Sequence, residues 1–235
     1  MIAMKVLVVG ATGAIGNTLL NHCLRRPEVT SVIAITRRPL PSTDTAKLSN
    51  IIIPDFGALP GTEDAAWTKM ADADALIWAM GSYTFDESVN YAYPLAFQSA
   101  LAKCLEQNGT TKKFAWILLG GAFTEPNQTQ PLYFLADQRR TKGLLQTRTL
   151  EFAKAHANWE AVVIRPGGIL FGGDTYINRV GSALFGEGLS IDANILGACV
   201  ADLVVNGLGE VKTQGIVVNK ELSVRGKRVL EAMGQ

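Results

Sequence analysis

Three glycines spaced three apart, Gly10, Gly13 and Gly16, follow the apolar run Val6–Val9 and open a stretch with helical periodicity. The chemistry served by such spacing is the holding of an anion. Gly10 permits a tight turn out of a strand, Gly13 lets the backbone approach a phosphate, and Gly16 lets a helix pack close on the strand. A helix starting near Gly13 would turn its free N–H groups and the positive end of its dipole towards the anion. Thr12, Ala14 and Ile15 complete the cradle. Glycine spacing alone is a weak signal; its position between a strand and an amphipathic helix supplies the required context.

About twenty residues further on, where a site for NAD carries an acidic residue, the chain reads ITRRP. Arg37 and Arg38 suit the 2′-phosphate of NADP and cannot accept a hydrogen bond from a ribose hydroxyl. The expected cofactor is therefore NADP(H). Asp55 and Phe56 follow the third strand, placed to edge an adenine, the carboxylate towards its amine and the ring towards its apolar side. Ala79, Met80 and Gly81 end the fourth strand, with Gly81 letting backbone pass the nicotinamide ribose. Pro166, Gly167 and Gly168 follow the sixth and would bring backbone amides to the carboxamide. Lys142 has the helix phase to reach the nicotinamide ribose hydroxyls.

These residues need strands and helices in alternation to bring them together. Apolar runs at Lys5–Val9, Ser31–Thr36, Asn50–Pro54, Ala75–Ala79, Phe114–Leu119, Ala161–Arg165 and Gly215–Val218 predict seven strands. Helical periodicity joins Leu19, Leu20, Cys23 and Leu24, then Leu95, Ala96, Ala100, Leu101, Cys104 and Leu105. It also joins Leu144, Leu145, Leu150 and Phe152, then Ile195, Cys199, Leu203 and Val204, and finally Val229, Leu230 and Met233. Continuous rather than alternating apolar strands imply a sheet covered on both faces. The expected fold class is α/β, a single-domain Rossmann fold with a doubly wound parallel sheet and helices on both faces. Residues 1–235 read as one NAD(P)-binding domain. A glycine-rich, irregular segment around residues 167–192, including Asn178 and Arg179, reads as a small cap over an apolar substrate.

Composition narrows the classes further. Hydrophobic residues make up 48% of the 235 and charged residues 18%, with a formal charge of +1. That balance fits a globular enzyme-like domain and gives no electrostatic footprint for nucleic acid or an anionic membrane. The three cysteines are far apart, with no metal-ligand spacing, and imply reduced thiols. No metal site is expected. The chain opens directly into a strand, without a secretory pattern, and no apolar run reaches membrane-spanning length. The expectation is a cytoplasmic protein.

GATGAIG at 10–16, the arginine after the second strand, PDF at 54–56, AMG at 79–81 and RPGG at 165–168 together resemble an atypical short-chain dehydrogenase/reductase. IVVNKEL at 216–222 is similar to the closing strand of its small NAD(P)H-binding, epimerase-like members. The resemblance covers nearly the whole chain. It implies a Rossmann fold, a nicotinamide cofactor, a small-molecule substrate and often a homodimer. It also implies a serine after the fifth strand and a Tyr-x-x-x-Lys pair on the next helix, and here the sequence departs. Leu119, Gly120 and Gly121 stand where the serine would fall, and Gln138 occupies the tyrosine position four before Lys142. Glutamine has no useful proton-transfer pKa.

Two other phenols become candidate proton donors, Tyr133, nine residues before Lys142, and Tyr83, two past Gly81. Packing on substrate or core is the competing account of both. His22 and His156 read as structural. Three functions remain: an NADPH-dependent oxidoreductase of a small, apolar carbonyl or enone compound; an isomerase, cyclase or dehydratase that does not consume its cofactor or needs none; and a non-enzymatic NADP(H) sensor or scaffold. Enone reduction tolerates the missing tyrosine best, because solvent can protonate an enolate.

Overall fold

The computed structural model describes residues 3–41, 45–82, 86–172, 189–207 and 214–234. Strand β1 (Met4–Val9) pairs in parallel with β2 (Val29–Thr36) on one side and β4 (Ala75–Trp78) on the other. Beyond β2 lies β3 (Leu48–Ile52). Beyond β4 follow β5 (Phe114–Leu119), β6 (Trp159–Arg165) and β9 (Ile216–Val218), all parallel. The order β3-β2-β1-β4-β5-β6-β9 is doubly wound, as expected from the alternation.

Alternate side chains of β1 feed two cores. Val6 and Val8 pack with α1 (Ala14–Arg25) and α5 (Ala193–Asn206), through Leu19, Leu20 and Cys23 and through Leu196, Cys199 and Leu203. Leu7 and Val9 pack with α2 (Ala65–Met70), α3 (Tyr93–Gln107) and α4 (Ala136–Ala155), through Trp67, Phe97, Leu101 and Leu145. Helix α6 (Asn219–Ala232) covers α5 and sends Leu222 into the first core. Met233 follows this helix and is exposed.

Several boundaries differ from the sequence expectation for physical reasons. β3 starts at Leu48, two residues before the expected Asn50, because Leu48 and Ser49 pair with Val32 and Ile33 of β2; Asn50 Nδ2 donates to Ala34 O and Thr36 Oγ1, both 2.8 Å away. α2 escapes the apolar pattern because it has only six residues; Asp64 marks its start by accepting from the Ala66 amide. A π-helical turn at Ser88–Ala92 leads into α3. α4 buries Gln146 and Thr149 beside Leu145, with Leu150 and Phe152 half-buried against the same core, so the face expected from Leu144, Leu145, Leu150 and Phe152 is part polar.

The segment around 167–192 is regular at both described ends. β7 (Gly168–Leu170) pairs in parallel with β8 (Ser190–Asp192), forming a second, two-stranded sheet. Gly167 is obligatory there, because a Cβ would overlap the Leu189 carbonyl. The two ends of the segment expected to be irregular are thus paired strands; its interior, with Asn178 and Arg179, lies outside the described residues.

Candidate functional site

The chain runs outward from β1 to β2 and β3, then returns to β4 on β1's other side, so the C-terminal ends of β1 and β4 form a switch point. Ligands of open α/β sheets sit in the crevice at such a point. The glycine turn lies there. Gly10 has φ +88° and a Cβ on it would come within 2.7 Å of Ala79 C and Met80 N at the end of β4. A Cβ on Gly16 would overlap the Gly10 carbonyl, so the start of α1 can rest on this turn only as glycine. Gly13 is the N-cap, exposed, with only Gly10 O at 3.4 Å from its would-be Cβ. The three glycines therefore do three jobs, and Gly13 is the one whose missing side chain faces outward.

Asn17 N donates to Gly13 O, which leaves the amides of Ala14, Ile15 and Gly16 without an intrahelical acceptor. No side chain caps the helix and no acidic residue lies in its first turn. A helix end so unneutralised attracts anions. Thr12 and Ala14 are exposed and Ile15 is half-buried beside it.

Arg37 and Arg38 leave the end of β2 fully on the surface, and neither guanidinium has an ion-pair or hydrogen-bond partner among the described residues. Thr36 positions them: buried, it donates from Oγ1 to Arg38 O at 2.6 Å. Asp55 is exposed; its Oδ1 accepts from Gly57 N at 2.7 Å. Phe56 behaves differently from expectation. Its ring is only 2% exposed and packs against Trp78, Tyr93 and Phe97, so it belongs to the core and not to an adenine edge. The end of β4 is fixed by Trp78, whose indole donates to Met80 O at 3.1 Å, and Asn90 Oδ1 accepts from Ser82 N just beyond the exposed Gly81.

The turn after β6 also departs from expectation. Gly167 N donates to Asn219 Oδ1 and Gly168 N to Leu189 O, each at 2.7 Å, and Pro166 has no N–H. Those amides are committed inside the protein and are not free for a carboxamide. Pro166 is buried, with its carbonyl accepting from Ala122 N at 2.8 Å.

Lys142 stands on the second turn of α4, and a Cβ on Gly121 would lie 3.9 Å from its Nζ. The side chain as a whole is exposed, yet protein around the ammonium pushes its pKa below the ordinary lysine value. No carboxylate pairs with it among the described residues. Gln138 lies one turn earlier on the same side of the helix. Tyr133 is fully exposed on the loop before α4, and Tyr83 lies outside the described residues.

That loop, residues 120–135, is braced on α4 and on Arg165 at the end of β6. Arg139 Nε donates to Phe123 O at 2.9 Å, Arg140 Nη2 to Gln130 O at 2.9 Å, and Arg165 Nη2 to Thr124 O. Gly143 lets Glu125 and Pro126 cross the helix, since a Cβ there would overlap Glu125 O. In the sequence Asp137 and Arg139 flank Gln138, with side chains turned about 100° to either side of it on a helix, which gives no reason to place Arg139 at the site. His22, by contrast, is structural: it is buried between α1 and α5, with Nε2 2.8 Å from Asn194 Oδ1. Among the described residues no cluster of His, Cys, Asp and Glu is arranged to hold a metal ion, and no helix is long and apolar enough to cross a membrane.

A parallel sheet of this order with an open helix end at its switch point defines the Rossmann class of nucleotide-binding folds. More narrowly, the fold is that of the short-chain dehydrogenases/reductases. It superposes on a short-chain dehydrogenase from Burkholderia cenocepacia in complex with NADP (TM-score 0.64, 19% identity, 98% of this chain and 93% of that one). It also superposes on one from Leptospira borgpetersenii with bound NAD+ (TM-score 0.67, 16% identity, 94% and 93%). A 3-oxoacyl-[acyl-carrier protein] reductase from Brucella melitensis matches as well (TM-score 0.66, 16% identity, 94% and 97%). No family model and no curated protein matches the sequence.

Proposed function

We propose that the protein is an NADPH-dependent oxidoreductase of the short-chain dehydrogenase/reductase type, acting on a small, apolar carbonyl or enone compound. The observation that carries this reading is the open N-terminus of α1. Its amides at Ala14, Ile15 and Gly16 lack acceptors, its first turn lacks an acid, and Gly13 leaves room for a diphosphate. A nicotinamide held in such a site supplies or accepts a hydride. Arg37 and Arg38, exposed and without a partner among the described residues, would hold a 2′-phosphate, and Asp55 would accept from the adenine amine. Lys142 would donate to the ribose hydroxyls and keep a positive charge beside the reacting oxygen.

Among the described residues the proton that accompanies the hydride has no tyrosine source, since Gln138 replaces the family's phenol and Tyr133 is fully exposed; Tyr83 stays a candidate outside them. Reduction of an enone fits this best, with solvent protonating the enolate. The same absence favours a second reading, an isomerase, cyclase or dehydratase that does not consume its cofactor. A sensor or scaffold without turnover is the third.

Paired calorimetric titrations of nucleotide-stripped protein with NADPH and NADH test the cofactor. The expected result is NADPH binding at least about tenfold tighter than NADH, a gap of about 1.4 kcal/mol. Absence of binding by both nucleotides would sink the oxidoreductase reading. Loss of NADPH absorbance with carbonyl and enone substrates then separates turnover from the other two functions.

A further inference from the structure

We propose that Arg139 binds a carboxylate on an aryl-bearing carbonyl substrate; this deepens the oxidoreductase reading and rests on it for the reaction, though not for the binding. Arg139 lies in the first turn of α4, against the loop that follows β5, in an unusual setting. Its guanidinium carbon is 4.7 Å from the Phe134 ring centroid and 6.0 Å from that of Phe123, and the two rings meet edge to face at 5.5 Å. Nε is engaged by Phe123 O, which fixes the plane of the group, while both Nη atoms have no partner among the described residues. A guanidinium held in place with its outer donors free is prepared for a planar, two-oxygen anion.

The surroundings suit an apolar ligand that ends in a negative charge. Phe123 and Phe134 are 55% and 50% exposed, large apolar surfaces left in water at one rim. Leu135, also exposed, is held at φ +46°, a region that non-glycine residues rarely adopt, and this turn carries the chain from Phe134 into α4. Arg139, Arg140 and Lys142 all occupy the first two turns of α4, where the helix dipole disfavours cations. The nearby acids do not neutralise Arg139. Asp137 is exposed and makes no ion pair with it, and Glu125 Oε1 accepts from Asn127 N.

Distance along the helix links this site to the reaction. Arg139 and Lys142 are three residues apart and share a side of α4. Both address the same loop, Arg139 at Phe123 and Lys142 at Gly121. A carboxylate on Arg139 therefore leaves the body of the molecule between the aromatic rim and the Lys142 ammonium.

The test is calorimetric titration of 4-oxo-4-phenylbutanoate and its methyl ester into NADP+-saturated protein. The acid is expected to bind at least about tenfold more tightly than the ester. In Arg139→Gln the acid should fall to the ester's affinity, while NADP+ binding stays within about twofold of wild type, which also reports an intact fold. In Phe134→Leu both ligands should weaken together. Equal binding of acid and ester, no binding of either, or an acid preference that survives Arg139→Gln would overturn the proposal. Because the titration is repeated without nucleotide, a protein that fails to bind NADP+ refutes the cofactor reading separately.

Discussion

Gly121 and Lys142 face each other where β5 ends and α4 begins: a Cβ on the glycine would stand 3.9 Å from the lysine Nζ and meet nothing else within 4 Å. The gap has the ammonium on one side, and the nearby Thr124 hydroxyl is committed to the Gly121 carbonyl at 2.7 Å. Gln138, one helical turn before the lysine, adds no acid to it.

That gap can be refilled. The double variant Gly121→Ser/Gln138→Tyr places a hydroxyl and a phenol beside Lys142, with room for the serine Cβ. NADPH-dependent reduction of a simple aryl ketone should rise by about 10²-fold or more in kcat, the usual scale of a positioned general acid. A stable variant that binds NADPH but shows no gain would remove Lys142 from the reacting centre.

The glycine turn predicts a split between stability and binding. Gly16→Ala forces a Cβ into the Gly10 carbonyl and should cost about 3 kcal/mol, lowering Tm by roughly 6–12 °C. Gly13→Ala meets only Gly10 O at 3.4 Å and should cost about 1 kcal/mol as a poorer N-cap. Yet Gly13→Ala should weaken NADPH at least about tenfold, because its methyl faces the phosphate. Thermal melts paired with calorimetry distinguish the two; unchanged nucleotide affinity in Gly13→Ala would place the anion elsewhere.

Arg37 and Arg38 should matter for nucleotide choice and nothing else. With both exposed and unpaired among the described residues, Arg37→Ala/Arg38→Ala is expected to leave Tm within about 2 °C. NADPH affinity should drop about tenfold and NADH affinity by less than twofold. If both nucleotides weaken equally, the arginines contact a part common to both.

His22 makes stability depend on pH. Burial is the main cause of its lowered pKa, offset in part by the Asn194 hydrogen bond, with Arg25 lowering it further and Asp192 raising it. The folded state therefore gives up this proton more readily than the unfolded state, whose value is 6.5. The contribution is complete above about pH 6.5 and is lost as pH falls below it. Wild-type Tm should decline through that range more steeply than that of His22→Gln; parallel curves would mean the histidine does not titrate between the two states.

Much of the frame was legible in the chain itself. Apolar runs covered on both faces could belong only to a parallel sheet, and seven of them appeared where the seven strands lie. The spacing of Gly10, Gly13 and Gly16 was enough to locate the turn, because strand, turn and helix are consecutive and their chemistry is local. Gln138 in the tyrosine position was equally plain, since the change is one of residue type.

Tertiary contacts decided the rest. Phe56 follows a strand end just as a ligand-facing residue would, but three aromatic neighbours from β4 and α3 enclose it. Nothing near them in the sequence engages the Gly167 and Gly168 amides; Asn219, 52 residues from Gly167, and Leu189 consume them. Neither strand of the β7–β8 pair has enough residues to register as a periodic run, and each exists because the other lies beside it. Arg139 joins Phe123 and Phe134 only when the loop folds back over α4. Local pattern fixes what a segment is, while the partners that satisfy its hydrogen bonds and cover its rings come from distant parts of the chain.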